Sequence, residues 1–270
     1  MMPKEDQLHH NILYSCSVRQ KRGHEQFVQE HSLGYILAGE VHFFTNEGMK
    51  VYKQGMIGLI RRNQLAKTIK IPPDGGGEFR AINILFDQPS LKDYSTDNNI
   101  PAHKAYHGPQ MIELSPDPFI KSYFDSLMPY FDHPAQLSKA LSQLKTKEAI
   151  ELLLRHDPKI KDLLFDFSMP HKIDLEAFMN KNFSYNVPLT HFARLTGRSL
   201  ATFKRDFQRI FPQPPEKWLH KKRLEQAHYL IREKMLSPID VYLEVGFENL
   251  SHFSASFKKN FGYNPSSIHP

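Results

Sequence analysis

The sequence predicts an α+β chain of two domains. An N-terminal antiparallel β-barrel with attached helices is followed by an all-α module of seven helices built around two helix-turn-helix units. Three observations predict it. A helix-turn-helix pattern occurs twice in the last hundred residues, at a constant offset of 50 from Ser199 and Asn249 onward. Short β-rich segments crowd residues 9 to 90 and give way to helical periodicity near 116. Charge divides the same way: residues 172–270 hold 15 Lys+Arg against 9 Asp+Glu, whereas residues 1–171 hold 20 of each. A basic module beside a neutral one points to a polyanionic partner for the basic part.

In chain order, Ile12-Leu13-Tyr14, Gly34–Leu37, Val41–Phe44, Met56–Ile60 and Ala81–Phe86 are rich in β-branched or aromatic residues. Turn signals at Ala38-Gly39-Glu40, Asn46-Glu47-Gly48 and Asp74–Gly77 separate them, as in a small barrel or jelly roll. Tyr35, Leu37, Phe43, Ile57, Leu59 and Phe86 are its expected lining. Residues 88–110, rich in Pro, Asn, Asp and His, read as an irregular connection. Helical periodicity then marks Pro118–Phe131, Gln136–Arg155 and Lys159–Phe167. Leu137, Leu141, Leu144, Ile150 or Glu151, and Leu154 form a stripe on the second. That helix either caps the barrel or pairs with its copy in a dimer; a stripe of about three heptads allows both. Ser168-Met169-Pro170-His171 reads as a hinge, giving a domain at 1–167, a linker at 168–173 and a second domain at 174–270.

The second domain reads as helices at about 174–182, 189–196, 199–210, 215–233, 237–245, 249–260 and after Pro265. The first repeat is Ala193, Gly197, Ser199, Phe203, Phe207, Phe211 and Pro215; the second is Gly246, Phe247, Asn249, Phe253, Phe257, Phe261 and Pro265. Each pairs a turn glycine with an N-cap residue, whose oxygen accepts an orphan N–H of the next helix. Phenylalanines at i, i+4 and i+8 make one buried face, and a proline ends each pattern. With Phe203 and Phe207 inward, Lys204, Arg205 and Gln208 point outward, where Arg or Lys can donate to guanine O6 and N7. A solvated cationic face is the plain alternative. The helix Glu216–Glu233, with Trp218, Leu219, Leu224, Ala227 and Leu230 inward, is a strut. A strut that holds two readers about 34 Å apart lets them enter successive major grooves.

The stretch from Ser237 through Val245-Gly246-Phe247-Glu248-Asn249, Phe253, Phe257-Lys258-Lys259 and Phe261-Gly262 to Asn264-Pro265-Ser266 resembles the signature of the AraC/XylS family of bacterial transcription regulators. Pro215, Trp218, Arg223, Leu224, Ala227 and Leu230 match it too, so the resemblance covers about 172–270. A looser likeness of the N-terminal part is to the type III secretion activators of that family, with a cupin-like barrel and dimerising helices. The resemblance implies a promoter-binding activator whose N-terminal domain senses a small molecule or a protein partner. It also implies double-stranded promoter DNA, RNA polymerase and a second copy of the chain as partners. Carried over by motif, the base-edge candidates are Ala201, Lys204 and Arg205, then Ser251, His252 and Ala255; Arg198, Thr202 and Asn249 are backbone-positioning candidates. Two positions depart from the family. Ala255 stands where a basic residue is common, and Tyr242 where a small one is usual, which should splay that helix pair unless its neighbour adapts. The first unit is therefore expected to dominate specificity.

Other classes are disfavoured. A metal-dependent cupin enzyme fused to a DNA-binding module is the alternative, but His9-His10, His24, His31 and His42 are scattered and no His-x-His occurs. Gly75-Gly76-Gly77 lacks the Gly-Lys-Ser/Thr of a phosphate cradle. Cys16 stands alone, which disfavours an alkyl acceptor and fits a reducing compartment. No catalytic set, cofactor or metal is expected. With no apolar run long enough to span a bilayer and a polar start at Met1–Asp6, the expectation is a cytoplasmic, nucleoid-associated protein without membrane contact.

Overall fold

A computed structural model describes residues 6–23, 26–45, 48–101, 106–168 and 170–268. Met1 to Glu5, His24, the Asn46-Glu47 part of the second expected turn, and Met169 of the linker lie outside the described residues. Two compact units form, Met1–Ser168 and Met169–Pro270.

The strands of the first unit are β1 (Gln7–His9), β2 (Ile12–Ser17), β3 (Lys21–Arg22), β4 (Phe27–Val28), β5 (His31–Ala38), β6 (Glu40–Thr45), β7 (Gly48–Lys53), β8 (Ile57–Ile60), β9 (Gln64–Leu65), β10 (Lys67–Ile71), β11 (Phe79–Phe86) and β12 (Met111–Leu114). They make a six-stranded sheet in the order β1-β2-β11-β5-β8-β12, a four-stranded sheet β3-β10-β6-β7, and the pair β4-β9. Every ladder is antiparallel. Helices α1 (Gln88–Asp97), α2 (Pro118–Asp132), α3 (Lys139–His156) and α4 (Ile160–Leu164) complete the unit.

The larger sheet is buried on both faces. Residues such as Leu33, Tyr35, Ile57, Leu59, Ile84 and Phe86 join Phe124, Leu127, Ile150 and Leu153 of the helices in one cluster. Ile36, Ile60, Phe79, Ala81 and Met111 meet Val41 and Tyr52 of the smaller sheet in another, with Phe43 at its margin. The expected lining therefore divides: Phe43 lies between the sheets, while Tyr35, Leu37, Ile57, Leu59 and Phe86 face the helices. Strand alternation sends each parity to one face. Here both faces have a partner layer, so apolar residues on either parity are equally at home.

Two helical expectations are corrected. Residues 88–97 are a helix, not irregular chain: Asp87 caps it by accepting from the Ser90 N–H, and Leu91 and Tyr94 bury its inner side. On α3 the buried residues are Ser142, Thr146, Ala149, Ile150 and Leu153; of the expected stripe Leu137, Leu141, Ile150 and Leu154 pack on the core, whereas Leu144 is turned out, 63% exposed. Ser142, Thr146 and Ala149 are the small residues of this face, and the Thr146 hydroxyl is satisfied by the Ser142 carbonyl at 2.9 Å.

The second unit comprises α5 (Leu175–Asn182), α6 (Leu189–Leu195), α7 (Leu200–Ile210), α8 (Pro215–Lys234), α9 (Pro238–Glu244) and α10 (Leu250–Phe261). The seventh expected helix is a single 3₁₀ turn, Pro265–Ser267. The phenylalanine columns build both cores. Phe207 and Phe211 rings lie 4.4 Å apart and Phe211 packs on Trp218 at 4.6 Å. Phe253 and Phe257 are fully buried against Leu224, Ala227 and Ile231 of α8.

Candidate nucleic-acid interface

The two reading helices are set by the same local bonds. After α6, the Gly197 N–H reaches the Arg194 carbonyl at 3.0 Å and the Arg198 N–H reaches Ala193 at 2.9 Å. After α9, Gly246 reaches Leu243 at 3.2 Å and Phe247 reaches Tyr242 at 2.8 Å. Both glycines are left-handed, with φ of 66° and 97°. Tyr242 does not change this closure; it is half-buried at the margin of the second core. Ser199 then caps α7 by accepting from the Thr202 N–H, and the Asn249 side-chain oxygen caps α10 by accepting from Ser251 and His252.

On α7, Ala201, Lys204, Arg205 and Gln208 are exposed along one side, and Thr202 is half-buried with its hydroxyl bonded to Ser199. Arg198 is placed differently from the expectation. Its side chain is 7% exposed, donating from Nη1 to the carbonyls of Ile173 and Thr196 and from Nε to Asp206 at 3.1 Å. Those bonds aim it inward, so Arg198 braces the foot of α7 rather than reaching a phosphate. Asp206 is the common acceptor: Arg198 first, then Lys172, hold its carboxyl below the ordinary value against the opposing effect of desolvation. Arg205 stays 62% exposed with its Nε 3.7 Å from Asp206, a loose contact that leaves the guanidinium available.

On α10, Ser251, His252 and Ala255 are exposed, as is Asn249 before it. This face presents one hydroxyl, one imidazole and one methyl. It can donate to DNA but lacks a fork matched to guanine.

The strut contributes residues that the sequence reading passed over. Glu216 Oε1 lies 3.4 Å from Lys204 Nζ on α7, and His220, one turn later, has its ring 6.3 Å from that of His252 on α10. Both line an open groove of about 500 Å³ with Asn186, Leu200 and Arg223. Burial, then the nearby His252, Arg223 and Lys259, hold His220 below its ordinary value, so it sits here neutral at pH 7. The i, i+4 spacing of Glu216 and His220 was the available signal; which way that side of α8 faces was not. Glu216 acts as an internal counterion for Lys204. Replacing it, Glu216→Gln, should tighten DNA binding about two- to five-fold at low salt, the range of an exposed ion pair. Fluorescence anisotropy titrations checks this; unchanged or weaker binding would contradict it.

Elsewhere the chemistry is quiet. Among the described residues no three His, Cys, Asp or Glu side chains converge as metal ligands. Cys16 is buried against Glu78, and burial with that carboxylate pushes its thiol up to about 11, far from a nucleophile. No described helix is long and apolar enough to cross a membrane.

Comparison with known proteins finds similarity over both parts of the chain. A family described as a helix-turn-helix domain matches residues 192–269, and one described as the ExsA N-terminal regulatory domain matches residues 31–164. The HTH-type transcriptional regulator ExsA of Pseudomonas aeruginosa is 31% identical over 137 residues, 50% of this chain and 48% of that protein. The virulence regulon transcriptional activator VirF of Yersinia enterocolitica is 35% identical over 92 residues, 34% of each chain. The chain thus spans about half or less of the length of these relatives. A crystal structure of an apo ToxT variant from Vibrio cholerae covers 96% of this chain and 97% of its own, with a TM-score of 0.46 and 10% identity.

Proposed function

We propose that this chain, a member of the AraC/XylS family of transcription regulators, is a sequence-specific activator that reads promoter DNA with α7 and α10. The single observation that carries this reading is the pair of identically closed turns, each delivering a capped helix with one exposed polar face. Lys204, Arg205 and Gln208 read base edges in the first groove, with Ala201 offering a methyl contact. Ser251 and His252 bind mainly phosphate in the second, with Ala255 against the wall of the groove and the Thr202 and Asn249 positions on the backbone.

The first helix-turn-helix of the second unit should then set base preference. Against a randomised promoter library, Arg205→Ala should relax preference at one position and cost roughly 1–3 kcal/mol on the best sites. His252→Ala should weaken binding nearly evenly across sequences. A larger change in base preference from the His252 substitution would overturn the assignment.

For the first unit we favour regulation by a protein partner or by a second copy of the chain over a small ligand inside the sheets. We read the two sheets as a cupin-like barrel and α2 and α3 as its dimerisation helices. The filled space between the sheets supports this: the Tyr52 ring covers Gly58, where a Cβ would come within 2.5 Å of it, and Phe43 packs edge-on to Tyr52 at 5.8 Å. On this reading the protein works in the cytoplasm on nucleoid DNA with RNA polymerase, as a regulator and not an enzyme.

A further inference from the structure

One guanidinium joins three segments of the second unit. Arg223, on α8, donates from Nε to the Phe183 carbonyl and from Nη2 to the Tyr185 carbonyl, both at 2.8 Å, just beyond the end of α5. Its Nη1 reaches the Asn186 side-chain oxygen at 3.4 Å and the carbonyl of Gly246, in the turn before α10, at 3.3 Å. Asn186 continues the junction by donating from Nδ2 to Glu248 at 2.5 Å. The close approach has a steric side as well. A Cβ on Gly246 would fall 2.6 Å from the Ser184 carbonyl oxygen and 3.0 Å from Arg223 Nε. Residues 183–186 lead into α6 and the first reading helix, whereas Gly246 and Glu248 lead into the second.

We propose that Arg223 is a positioning residue: it fixes the phase between the two reading helices, so the protein accepts two half-sites at one spacing only. A lone strut would set their distance, but the hydrophobic contacts along it are non-directional and leave some freedom of rotation. A planar fork that accepts no proton and holds carbonyls from both units removes that freedom. Burial draws the Arg223 guanidinium down to about 10, still charged at neutral pH and so still a donor on every arm. The inference rests on the reading that α7 and α10 both enter DNA.

The test uses the full chain and duplexes that the wild type selects from a randomised 30-bp library, each selected pair of half-sites then being separated by one to five extra base pairs. Isolated half-sites serve as a second set. Inserting about half a helical turn should cost the wild type about 100-fold, the advantage of engaging both sites together. Arg223→Gln should bind single half-sites within a few-fold of wild type but lose less than about 10-fold on the same insertion. Arg223→Lys, which keeps the charge without the fork, should fall between them. Uniform weakening with the wild-type spacing profile, or no change, would overturn the proposal. If Arg223→Gln melts before binding can be measured, Arg223→Lys decides, and a wild-type spacing profile in that variant overturns the proposal. A wild type that selects no duplex at low ionic strength would instead bring down the DNA-reading assignment beneath it.

Discussion

Gly197→Ala should cost about 3 kcal/mol or more and abolish tight promoter binding, because two independent penalties meet at that residue. Its φ of 66° is left-handed, which an alanine occupies at a cost of about 1–2 kcal/mol. The added Cβ would also lie 2.5 Å from the His171 carbonyl carbon and oxygen and 2.6 Å from the Lys172 nitrogen. All three are backbone, so no rotamer can relieve the clash. The chain must move, either at the His171–Lys172 segment or at the start of α7, which carries Lys204 and Arg205. Gly246→Ala should act in the same direction but less severely, since one of its near contacts is the Arg223 side chain. The control is Gly262→Ala. Gly262 is equally left-handed at φ 87°, yet nothing lies within 4 Å of its Cβ position. That substitution should lower the melting temperature slightly, by the backbone penalty alone, and leave binding within a few-fold. Thermal melts with anisotropy titrations on the same duplex separate the cases. Wild-type melting and binding by Gly197→Ala would show that the turn tolerates a side chain and that the helix-turn-helix geometry has been misjudged.

What could be read from the chain depended on whether local pattern or distant contact set the outcome. Both reading helices were legible because cap, apolar column and stop signal all lie within seventeen residues, and the pattern occurs twice. Arg198 and Arg205 show the limit around one helix. Both are basic residues, one just before the cap of α7 and one on it, but Arg198 is turned inward by Asp206 and by the Ile173 carbonyl, 25 residues away. Sequence spacing cannot supply that partner. The inner face of α3 was legible only in part. Leu137, Leu141, Ile150 and Leu154 pack on the core as the stripe predicts, but Leu144 faces out and the buried positions include Ser142 and Thr146, which hydrophobicity alone cannot select. Helix α1 was missed because only Leu91 and Tyr94 bury apolar bulk; its cap, Asp87 three residues before Ser90, was the readable sign. The expected barrel lining failed because the sheet has two covered faces, which alternation within a strand cannot rank.

Asp166→Ala should destabilise the first unit by roughly 3 kcal/mol or more, the scale for unpairing a buried charged group. Asp166 is 4% exposed at its side chain and gathers the end of the unit. It accepts from the Tyr106 N–H at 2.9 Å, from the Ser168 N–H at 3.0 Å, from the Ser168 hydroxyl, and from Arg61 at 3.2 Å. Arg62, itself buried, donates to the Asp166 carbonyl at 2.9 Å. Arg61 is about a third exposed, so solvent screens its share and the buried hydrogen bonds dominate the loss. Burial alone would raise the Asp166 carboxyl, but the Ser168 bonds, the Tyr106 N–H and Arg61 together hold it below the ordinary 3.8. Its stabilising contribution is therefore complete above 3.8 and disappears as pH falls through the lower folded value. His31 adds a second acid limb with the same sign. Burial, with Arg62 and Arg61 nearby, draws it down to about 3, so the unfolded chain takes up a proton from 6.5 downward while the folded one does not. Urea midpoints followed by pH should thus decline in the wild type from about 6.5 and steepen below 3.8. Asp166→Ala should start lower and lose the steep part while keeping the shallow decline. Asp166→Asn, which retains one acceptor oxygen, should recover part of the stability but not the acid-dependent slope. If Asp166→Ala kept the wild-type midpoint and the full acid slope, the carboxylate would not be what fastens Ser168 at the point where the chain leaves this unit.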